Sequence, residues 1–305
     1  MPPMEIEFIR ALRKRLPVSP QLAVGPGDDA AILHPDGSVV TCDLLCDGTH
    51  FSLSSDSPHR IGRKALAVNL SDLAAMAAEP VAAFLAVALP REHPGIAEPL
   101  LEGMLPLAEE FDVAIAGGDT NVWDGPLVVS ITLVGRCPYQ PLLRSGAKPG
   151  DQLLVTGTFG GSRLGKQFDF CPRIHEALHL QREQPIHAGI DCSDGLSLDA
   201  SRLAEESGVG VAIDLDAVPV SEAAREMASR DAKLSALERA LGDGEDFELL
   251  LAVPPERAAV LLATQPLATP LTQIGTFTEK TGLWRDAKNW TPLSATGYEH
   301  RSDDE

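Results

Sequence analysis

The stretch Gly25-Pro26-Gly27-Asp28-Asp29-Ala30-Ala31 sets two adjacent carboxylates on a Gly/Pro turn, immediately before an apolar segment that predicts a strand. Glycine allows the backbone to turn tightly where a side chain would collide. Neighbouring carboxylates repel each other unless a cation lies between them or one of them takes up a proton. Because Gly-Asp pairs are also common in ordinary solvated turns, this stretch alone does not distinguish a site from a turn.

Recurrence of the same pattern along the chain favours a site. Six further aspartates lie close to Gly, Ser or Thr at the ends of apolar segments: Asp43, Asp47, Asp72, Asp119, Asp191 and Asp194. Magnesium ions prefer oxygen ligands, usually a few carboxylates together with water and phosphate. A turn at Gly117-Gly118 would let phosphate oxygens approach backbone N–H groups, and Arg144 could supply a forked donor to phosphate. The pattern therefore indicates metal-assisted phosphoryl transfer.

The composition indicates two sizeable cores and an acidic surface. The chain has 305 residues, of which 44% are hydrophobic, and this length and content suit two domains. The formal net charge is -19, which argues against nucleic acid or an anionic membrane as a partner. The charge fits a cytosolic enzyme that gathers divalent cations, and it fits a merely soluble acidic protein equally well.

The cysteines and the start of the chain bear on the cellular location. The start, Met1-Pro2-Pro3-Met4-Glu5, is not of the signal-peptide type, and no apolar run approaches the roughly 18 residues of a membrane span. The five cysteines are odd in number and include no Cys-x-x-Cys pair, which favours a reducing compartment. We therefore expect a cytoplasmic protein that has neither nucleic acid nor a membrane as partner.

Strand-like and helix-like segments alternate, but several strands follow each other closely, which favours an α+β fold over a purely doubly wound sheet. The predicted helices are residues 4–16, 58–78, 98–111 and 198–206, and the predicted strands are residues 38–43, 81–89, 113–116, 127–135, 152–156, 209–213 and 247–253. The Pro/Gly-rich residues 137–150 predict a linker. The N-terminal domain would then span residues 1–136 and the C-terminal domain residues 151–305.

Three other kinds of function are less well supported by the residues. Gly160 to Lys166 match the G-x-x-x-x-G-K pattern of a P-loop, but Gln167 stands where a Ser or Thr would bind Mg²⁺. Ser193 lacks the preceding glycine of a nucleophile elbow, and nothing in the sequence places a base beside a nucleophile. An acidic binding or scaffold protein, finally, has no need of carboxylates repeated on glycine turns.

Six strings of residues, spread in order over nearly the whole chain, form a longer pattern. They are Gly27-Asp28-Asp29, Lys64 to Met76, Gly117-Gly118-Asp119-Thr120, Arg144 to Asp151, Asp191-Cys192-Ser193-Asp194-Gly195 and Gly244-Glu245-Asp246-Phe247-Glu248-Leu249. Together they resemble thiamine-monophosphate kinase, a family in the superfamily of aminoimidazole ribonucleotide synthetase and selenophosphate synthetase. The second and the last string point to the kinase itself.

The resemblance implies a two-domain α+β fold, with an N-terminal mixed α/β domain that forms a homodimer interface and a C-terminal α+β sandwich domain. It also implies direct transfer of the ATP γ-phosphoryl group to thiamine monophosphate, with Mg²⁺ as cofactor. The family's metal ligands would fall on Asp29, Thr41, Cys42, Asp43, Asp72, Asp119, Asp191 and Asp194; its ATP contacts on Gly118, Asp119, Arg144 and Ser193; and its substrate contacts on His50, Glu245 and Tyr298. An aminoimidazole ribonucleotide synthetase-like or selenophosphate synthetase-like enzyme is the alternative.

Two positions depart from the family pattern. Cys42 stands where the family usually has Thr, so a backbone carbonyl is the better candidate for a metal contact there. The segment between Gly161 and Pro172 looks short, as though a family helix were trimmed. The chemistry itself needs no general base, because the acceptor is a phosphate monoester whose second pKa lies at about 6.

Overall fold

The computed structural model describes residues 4–17, 19–183, 185–231, 233–286 and 288–298. Residues 1–3, part of the start considered above, lie outside this range. The described chain forms two mixed sheets flanked by helices, as the predicted α+β class requires. None of its helices is both long enough and apolar enough to cross a membrane.

The N-terminal half is built on a six-stranded sheet with the strand order β1-β2-β3-β6-β4-β5. Strands β4 and β5 are parallel, and the other neighbours are antiparallel. In chain order the elements are α1 (Met4–Arg15), β1 (Leu22–Val24), β2 (Ala31–Leu33), β3 (Ser38–Cys46), α2 (Pro58–Ala75), β4 (Glu79–Pro90), α3 (Ala97–Glu110), β5 (Ala114–Trp123) and β6 (Val128–Arg136). Helix α2 packs against this sheet and against α3.

Helix α2 is enclosed on nearly every side, since 13 of its 18 residues are buried. It begins where the Ser57 side chain accepts a hydrogen bond from the Arg60 N–H, and Pro58 occupies the first turn, where its missing N–H is not needed. Two glycines permit the close contact with α3: a Cβ on Gly62 would lie 1.9 Å from the Leu100 carbonyl oxygen, and one on Gly103 would lie 1.8 Å from the His59 oxygen. Polar residues on α2 must therefore find partners inside the protein.

The C-terminal half is built on a seven-stranded sheet with the strand order β13-β12-β9-β11-β7-β10-β8. Its elements are β7 (Gln152–Thr156), α4 (Lys166–Asp169), α5 (Ile174–Glu183), β8 (Ala188–Asp191), α6 (Leu196–Glu206), β9 (Gly210–Ile213), α7 (Glu222–Arg230), α8 (Ala236–Gly242), β10 (Leu249–Val253), α9 (Pro255–Thr264), β11 (Leu271–Thr278), β12 (Gly282–Asp286) and β13 (Thr291–Pro292). Strand β7 sends Leu154 into one core and Leu153 and Val155 into another. The sheet is therefore a middle layer with apolar packing on both faces.

The two halves share a hydrophobic core and a polar seam. Buried residues of α2 and β6 belong to the same apolar cluster as Leu154 and Phe168 of the C-terminal half. Across the seam, the Arg63 guanidinium donates to the carbonyl oxygens of Phe168 at 2.5 Å and Phe170 at 2.7 Å. No helix or strand lies between Arg136 and Gln152 among the described residues, and we propose residues 137–150 as the boundary between the two domains.

The turn predicted at Gly117-Gly118 is wrong, because β5 continues through this segment to Trp123, with a shift of register against β4 between Ile115 and Gly117. The two glycines have φ angles of 145° and 154°, a region that other residues rarely adopt. A Cβ on Gly118 would lie 1.7 Å from the Leu85 carbonyl oxygen of β4. Gly118 therefore allows a close approach of two parallel strands, whereas a Cβ on Gly117 would meet no atom within 4 Å. A sequence pattern does not distinguish such a pair of glycines from a turn.

Candidate active site

Three aspartates meet where the two halves of the molecule join. Asp29 follows the Gly/Pro turn before β2, Asp72 lies on α2, and Asp191 ends β8. One carboxylate oxygen of each lies within 4.8 Å of the others. We call these three residues the acidic cluster. Its members are far apart in sequence, so the packing of α2 between the two sheets brings them together.

Each aspartate of the acidic cluster is held by a neighbouring donor. Thr41 Oγ1 donates to Asp72 Oδ2, and Ser71 Oγ donates to Asp191 Oδ2 at 2.5 Å. Arg144 Nη2 donates to Asp29 Oδ1 at 2.6 Å. The other oxygen, Asp29 Oδ2, is buried without a hydrogen-bond partner in the described part of the chain. A buried carboxylate oxygen without a partner is costly, so this donor set fits a hard cation such as Mg²⁺.

The pKa values of the acidic cluster and of Asp43 also favour a bound cation. Burial raises the pKa of Asp72 well above its ordinary value, and the Asp43 carboxylate raises it further. Burial likewise raises the pKa of Asp191, with Asp29 adding to the effect. The pKa of Asp43 rises to about 6, again mainly through burial. Crowded carboxylates resist ionisation because their charges repel each other in a poorly solvated site. A bound cation would offset that repulsion.

The acidic cluster borders a cavity of about 1070 Å³ between the two halves. Four of the predicted metal ligands line it: Asp43, Asp72, Asp191 and Asp194. The predicted ATP contact Ser193 lines it as well, together with all three predicted substrate contacts, His50, Glu245 and Tyr298. Asp29, Thr41 and Arg144 do not line the cavity but touch the carboxylates behind it. The structure thus gathers most of the predicted site residues around one space.

Lys64 ties two of the predicted substrate contacts together from inside α2. It is fully buried, and its Nζ donates to Glu245 Oε1 at 2.5 Å and to the His50 carbonyl oxygen at 2.7 Å. Burial lowers the pKa of Lys64, while the Glu245 carboxylate opposes that shift. The Glu245 side chain is 29% exposed and faces the cavity. Lys64 therefore fixes the position of a carboxylate that a substrate can reach.

The strings around Ser193 and Glu245 pair with each other through their backbones. The Glu245 N–H donates to the Ser193 carbonyl oxygen at 2.7 Å, and the Phe247 N–H donates to the Cys192 oxygen at 2.8 Å. Glu245 and Phe247 have φ angles of 55° and 51°, a strained conformation for residues with side chains. Such strain persists where the surrounding structure enforces it, which is common at binding sites.

Asp194, Tyr298 and His50, which also line the cavity, are held by hydrogen bonds. Arg202 Nη1 donates to Asp194 Oδ2 at 2.5 Å, and the Tyr298 N–H donates to the Asp194 carbonyl oxygen at 2.8 Å. His50 Nδ1 accepts a hydrogen bond from the Cys46 N–H at 3.0 Å. A neutral His50 ring consequently carries its proton on Nε2.

Comparisons with known proteins identify the family. Residues 27–137 match the model of the AIR synthase related protein, N-terminal domain, and residues 148–285 match that of the C-terminal domain. Thiamine-monophosphate kinase of Rhodopirellula baltica is 44% identical over 293 residues, which cover 92% of each chain. The chain belongs to the thiamine-monophosphate kinase family. The family expected from the six strings is thereby confirmed.

Solved structures of the family share the fold. The structure described as AaThiL complexed with AMPPCP and TMP has a TM-score of 0.82 at 27% identity, and the match covers 97% of this chain and 96% of that one. Thiamine-monophosphate kinase from Stenotrophomonas maltophilia K279a has a TM-score of 0.73 at 35% identity, covering 92% and 94% of the two chains. The predicted two-domain α+β fold class is confirmed by these matches and by the two domain models.

In this family member, Gly118 and Asp119 lie apart from the acidic cluster. Both are exposed on β5, the edge strand. Asp119 is in cross-strand register with Ala86, Ser130 and Leu44, so it shares the sheet face that α2 does not cover. Three strand spacings of about 4.8 Å separate β5 from β3. One chain alone therefore does not bring Asp119 to the cavity.

Cys42 also projects away from the acidic cluster. Its side chain is exposed, and Sγ lies 3.5 Å from Ser130 Oγ and 3.4 Å from Thr132 Oγ1. Alternation along β3 turns Thr41 toward Asp72 and turns Cys42 to the opposite face. For metal binding, this placement leaves the backbone carbonyl of Cys42 as the candidate group.

The P-loop-like segment holds a structural ion pair. Lys166 Nζ donates to the Thr158 carbonyl oxygen at 2.6 Å and lies 3.0 Å from Glu248 Oε1. Arg173 binds the same buried Glu248 carboxylate through two bonds of 2.8 Å. Lys166 is thus committed to the interior of the C-terminal half, and it is not among the residues that line the cavity.

Sequence reasoning missed three basic residues of the site. Lys64 and Arg163 line the cavity, and Arg202 binds Asp194. Lys64 stands at the start of a quoted string and Arg163 inside the P-loop-like segment, but neither position signalled a role. Arg202 lies on α6 outside every string, and its role follows only from the fold.

Proposed function

We propose that the chain transfers the γ-phosphoryl group of ATP directly to thiamine monophosphate, giving thiamine diphosphate. The observation that carries the proposal is the acidic cluster beside a cavity lined by His50, Glu245 and Tyr298. Family membership supports it, because the relatives are named thiamine-monophosphate kinase. A solved relative holds AMPPCP, which we take as an ATP analogue, together with TMP.

Mg²⁺ is the proposed cofactor. Asp29, Asp72 and Asp191 would hold it, since their oxygens converge and Asp29 Oδ2 has no partner within the described chain. We propose as further ligands Asp43, Asp194, Thr41 and the Cys42 carbonyl. When bound, Mg²⁺ screens the negative charge of the phosphates and of the transferring group.

The protein's own residues position two anionic reactants. Because the acceptor phosphate is already largely ionised near neutral pH, no side chain has to remove a proton from it. Lys64 holds Glu245 in place, and the His50 carbonyl is fixed by the same ammonium group. Rate enhancement then comes from alignment of the two reactants and compensation of their charge.

Arg144 and Ser193 are the proposed nucleotide contacts within the chain. Arg144 Nη2 binds Asp29, while its buried Nε has no hydrogen-bond partner in the described residues. The Arg144 side chain is nevertheless 23% exposed, so a guanidinium N–H other than the one given to Asp29 can bind a phosphate oxygen while the Asp29 pair stays intact. Ser193 lines the cavity beside the loop that carries Glu245.

A second copy of the chain is proposed to supply Gly118 and Asp119. The sheet face that carries Asp119 also carries Leu44 and Phe84, which are 55% and 45% exposed. Large apolar side chains on an uncovered face favour a protein partner. Leu44 also lines the cavity, so a homodimer formed through this face would place the partner's β5 near it. A cytoplasmic location stays a prediction, based on the five free cysteines.

The test is to incubate the purified protein with ATP, Mg²⁺ and thiamine monophosphate and to quantify thiamine diphosphate. Parallel reactions contain EDTA, or free thiamine in place of the monophosphate. We expect thiamine diphosphate in the complete reaction, none in EDTA, and no thiamine monophosphate from free thiamine, because free thiamine has no ionised phosphate to act as the acceptor. Comparable conversion of free thiamine to thiamine monophosphate would overturn the proposal, and full activity in EDTA would overturn its metal dependence.

A further inference from the structure

The cavity has an excess of negative charge that an anionic acceptor must overcome. Among the described residues that line it, seven carry a carboxylate, whereas Lys64 and Arg163 carry the positive charges. Carboxylates repel a phosphate group over several ångströms in a poorly solvated cleft. The positions of the cations therefore decide where a phosphate can bind.

The two cations differ in what they are bound to. The ammonium group of Lys64 is buried and already bonded to Glu245 and to the His50 carbonyl. Arg163 is exposed, and the described part of the chain offers its guanidinium neither a hydrogen bond nor an ion pair. Its N–H donors are therefore available to bind an anionic ligand, because a guanidinium stays charged at any physiological pH.

The backbone that carries Arg163 is held by the loop that precedes Glu245. Arg163 lies in a single helical turn, Ser162–Leu164, between the left-handed Gly161 and Gly165. Ser162 Oγ donates to the Gly244 carbonyl oxygen at 2.7 Å, and the Gly161 N–H donates to Asp243 Oδ2 at 2.9 Å. Gly244 directly precedes Glu245, so the same stretch of backbone supports both side chains.

The segment is equally fixed from the N-terminal half. Arg60 Nη2 bonds to Asp169 Oδ2 at 2.6 Å, and Arg63 holds the carbonyls of Phe168 and Phe170. The short segment between Gly161 and Pro172 is therefore clamped between α2 and the Glu245 loop. A clamped backbone reduces the entropy that its side chain loses when a ligand binds.

We propose that Arg163 is a specificity-determining residue that binds the phosphate of the acceptor monoester. This inference rests on the proposed kinase function and deepens it. The guanidinium fork matches two oxygens of a phosphate. Arg163 lines the same cavity as Lys64, and its charge adds slightly to the lowering of the Lys64 pKa that burial causes. Of the proposed nucleotide contacts, Arg144 lies behind the cavity on Asp29, whereas Ser193 lines the cavity beside the Glu245 loop, so the test includes ATP. Free thiamine offers no phosphate to this group.

The test compares Arg163→Ala and Arg163→Lys with Arg230→Ala. Arg230 is an exposed arginine of α7 whose ion-pair partner among the described residues is Glu226. For each variant, KM is measured for thiamine monophosphate and for ATP. The Kd of thiamine monophosphate and of free thiamine is measured by calorimetry with Mg²⁺ and without ATP. We expect Arg163→Ala to raise KM and Kd for the monophosphate about tenfold or more, with Arg163→Lys intermediate. KM for ATP, the affinity for free thiamine and the Arg230→Ala control should change less than about twofold.

Other outcomes separate this inference from the proposed function. An equal or larger rise in KM for ATP would assign the guanidinium to the nucleotide and overturn the inference. Unchanged KM and Kd for the monophosphate would overturn it while leaving the kinase activity intact. A parent protein that binds the monophosphate through Arg163 but never phosphorylates it would support the inference and refute the proposed function.

Discussion

The acidic cluster and the Gly117–Thr120 segment of β5 are both aspartate motifs of the same family, yet the structure treats them differently. The acidic cluster is enclosed, with Asp29 and Asp191 buried and a donor on each carboxylate. Asp119 is exposed at a sheet edge, and the side-chain bond described for it is to the neighbouring Thr120 N–H. One chain therefore brings the carboxylates of the acidic cluster together, whereas it leaves Asp119 exposed at the sheet edge.

The largest effect is expected for Asp72→Asn. Activity should fall by about a hundredfold or more, equivalent to ~2.7 kcal/mol, because a charge that would hold Mg²⁺ is removed. The metal-free melting temperature should be unchanged or higher, since the substitution relieves repulsion from Asp43 and Asp191. Steady-state rates and melts with and without Mg-ATP provide the measurement. The exposed Asp124, 82% accessible in its side chain, offers Asp124→Asn as a control. A variant that melts well below the parent without ligand would make Asp72 structural.

Asp119→Asn tests the exposed segment of β5. Its activity should also fall by orders of magnitude, but its metal-free melting temperature should match the parent because the side chain is exposed. Mixing the separately inactive Asp119→Asn and Asp72→Asn chains should then restore about a quarter of the parental activity, if each site of a symmetric dimer takes Asp119 from its partner. No recovery after exchange of subunits would show that Asp119 acts within its own chain.

A smaller effect is expected from pH. The raised pKa values of Asp72, Asp191 and Asp43 mean that the folded protein binds protons more tightly than the unfolded chain. Stability should therefore fall as pH rises from about 4 through 6 and above. In EDTA we expect a higher Tm at pH 5.5 than at pH 8, with Mg²⁺ narrowing the gap. Asp72→Asn should reduce this slope and Asp119→Asn should not. A slope that Asp72→Asn leaves unchanged would place its origin outside the acidic cluster.

The smallest effect on nucleotide use is expected for Lys166→Ala. Because Lys166 is bonded to Thr158 and Glu248 away from the cavity, KM for ATP should change less than about threefold. The loss should appear in stability, since the buried Asp246 and Glu248 would each lose a nearby cation. Kinetic titration with ATP and a urea melt measure the two effects. A fall of about a hundredfold in kcat/KM for ATP, ~2.7 kcal/mol, would revive the P-loop interpretation.

Much of the fold was predictable from local patterns, and the failures share a cause. Helix α2 and strands β3, β7 and β10 were anticipated within a few residues, because apolar periodicity and capping act over short distances. The turn at Gly117-Gly118 was not, because glycine serves close strand contact as readily as a turn. The helices between Gly165 and Glu183 also escaped prediction, since their packing against α2 decides them.

The candidate site divides in the same way. The residue types alone indicated the carboxylates and the family. A metal ion that binds phosphate needs oxygen ligands, and these strings carry them on a glycine-rich backbone. Nothing in the sequence predicted that Lys64 would be bonded to Glu245 across the two halves. Nor did it predict that Arg163 would line the cavity without a partner among the described residues.

The sequence by itself determined the chemistry of this protein: the acidic residues, their glycine-rich settings and the family they indicate. The tertiary structure decided which of them act together. Asp29, Asp72 and Asp191 converge because α2 packs between two sheets, whereas Asp119 faces outward because its cross-strand register aligns it with Leu44. A motif records residue types along the chain, and the distances between motifs are set only when hydrophobic burial packs helices and sheets together.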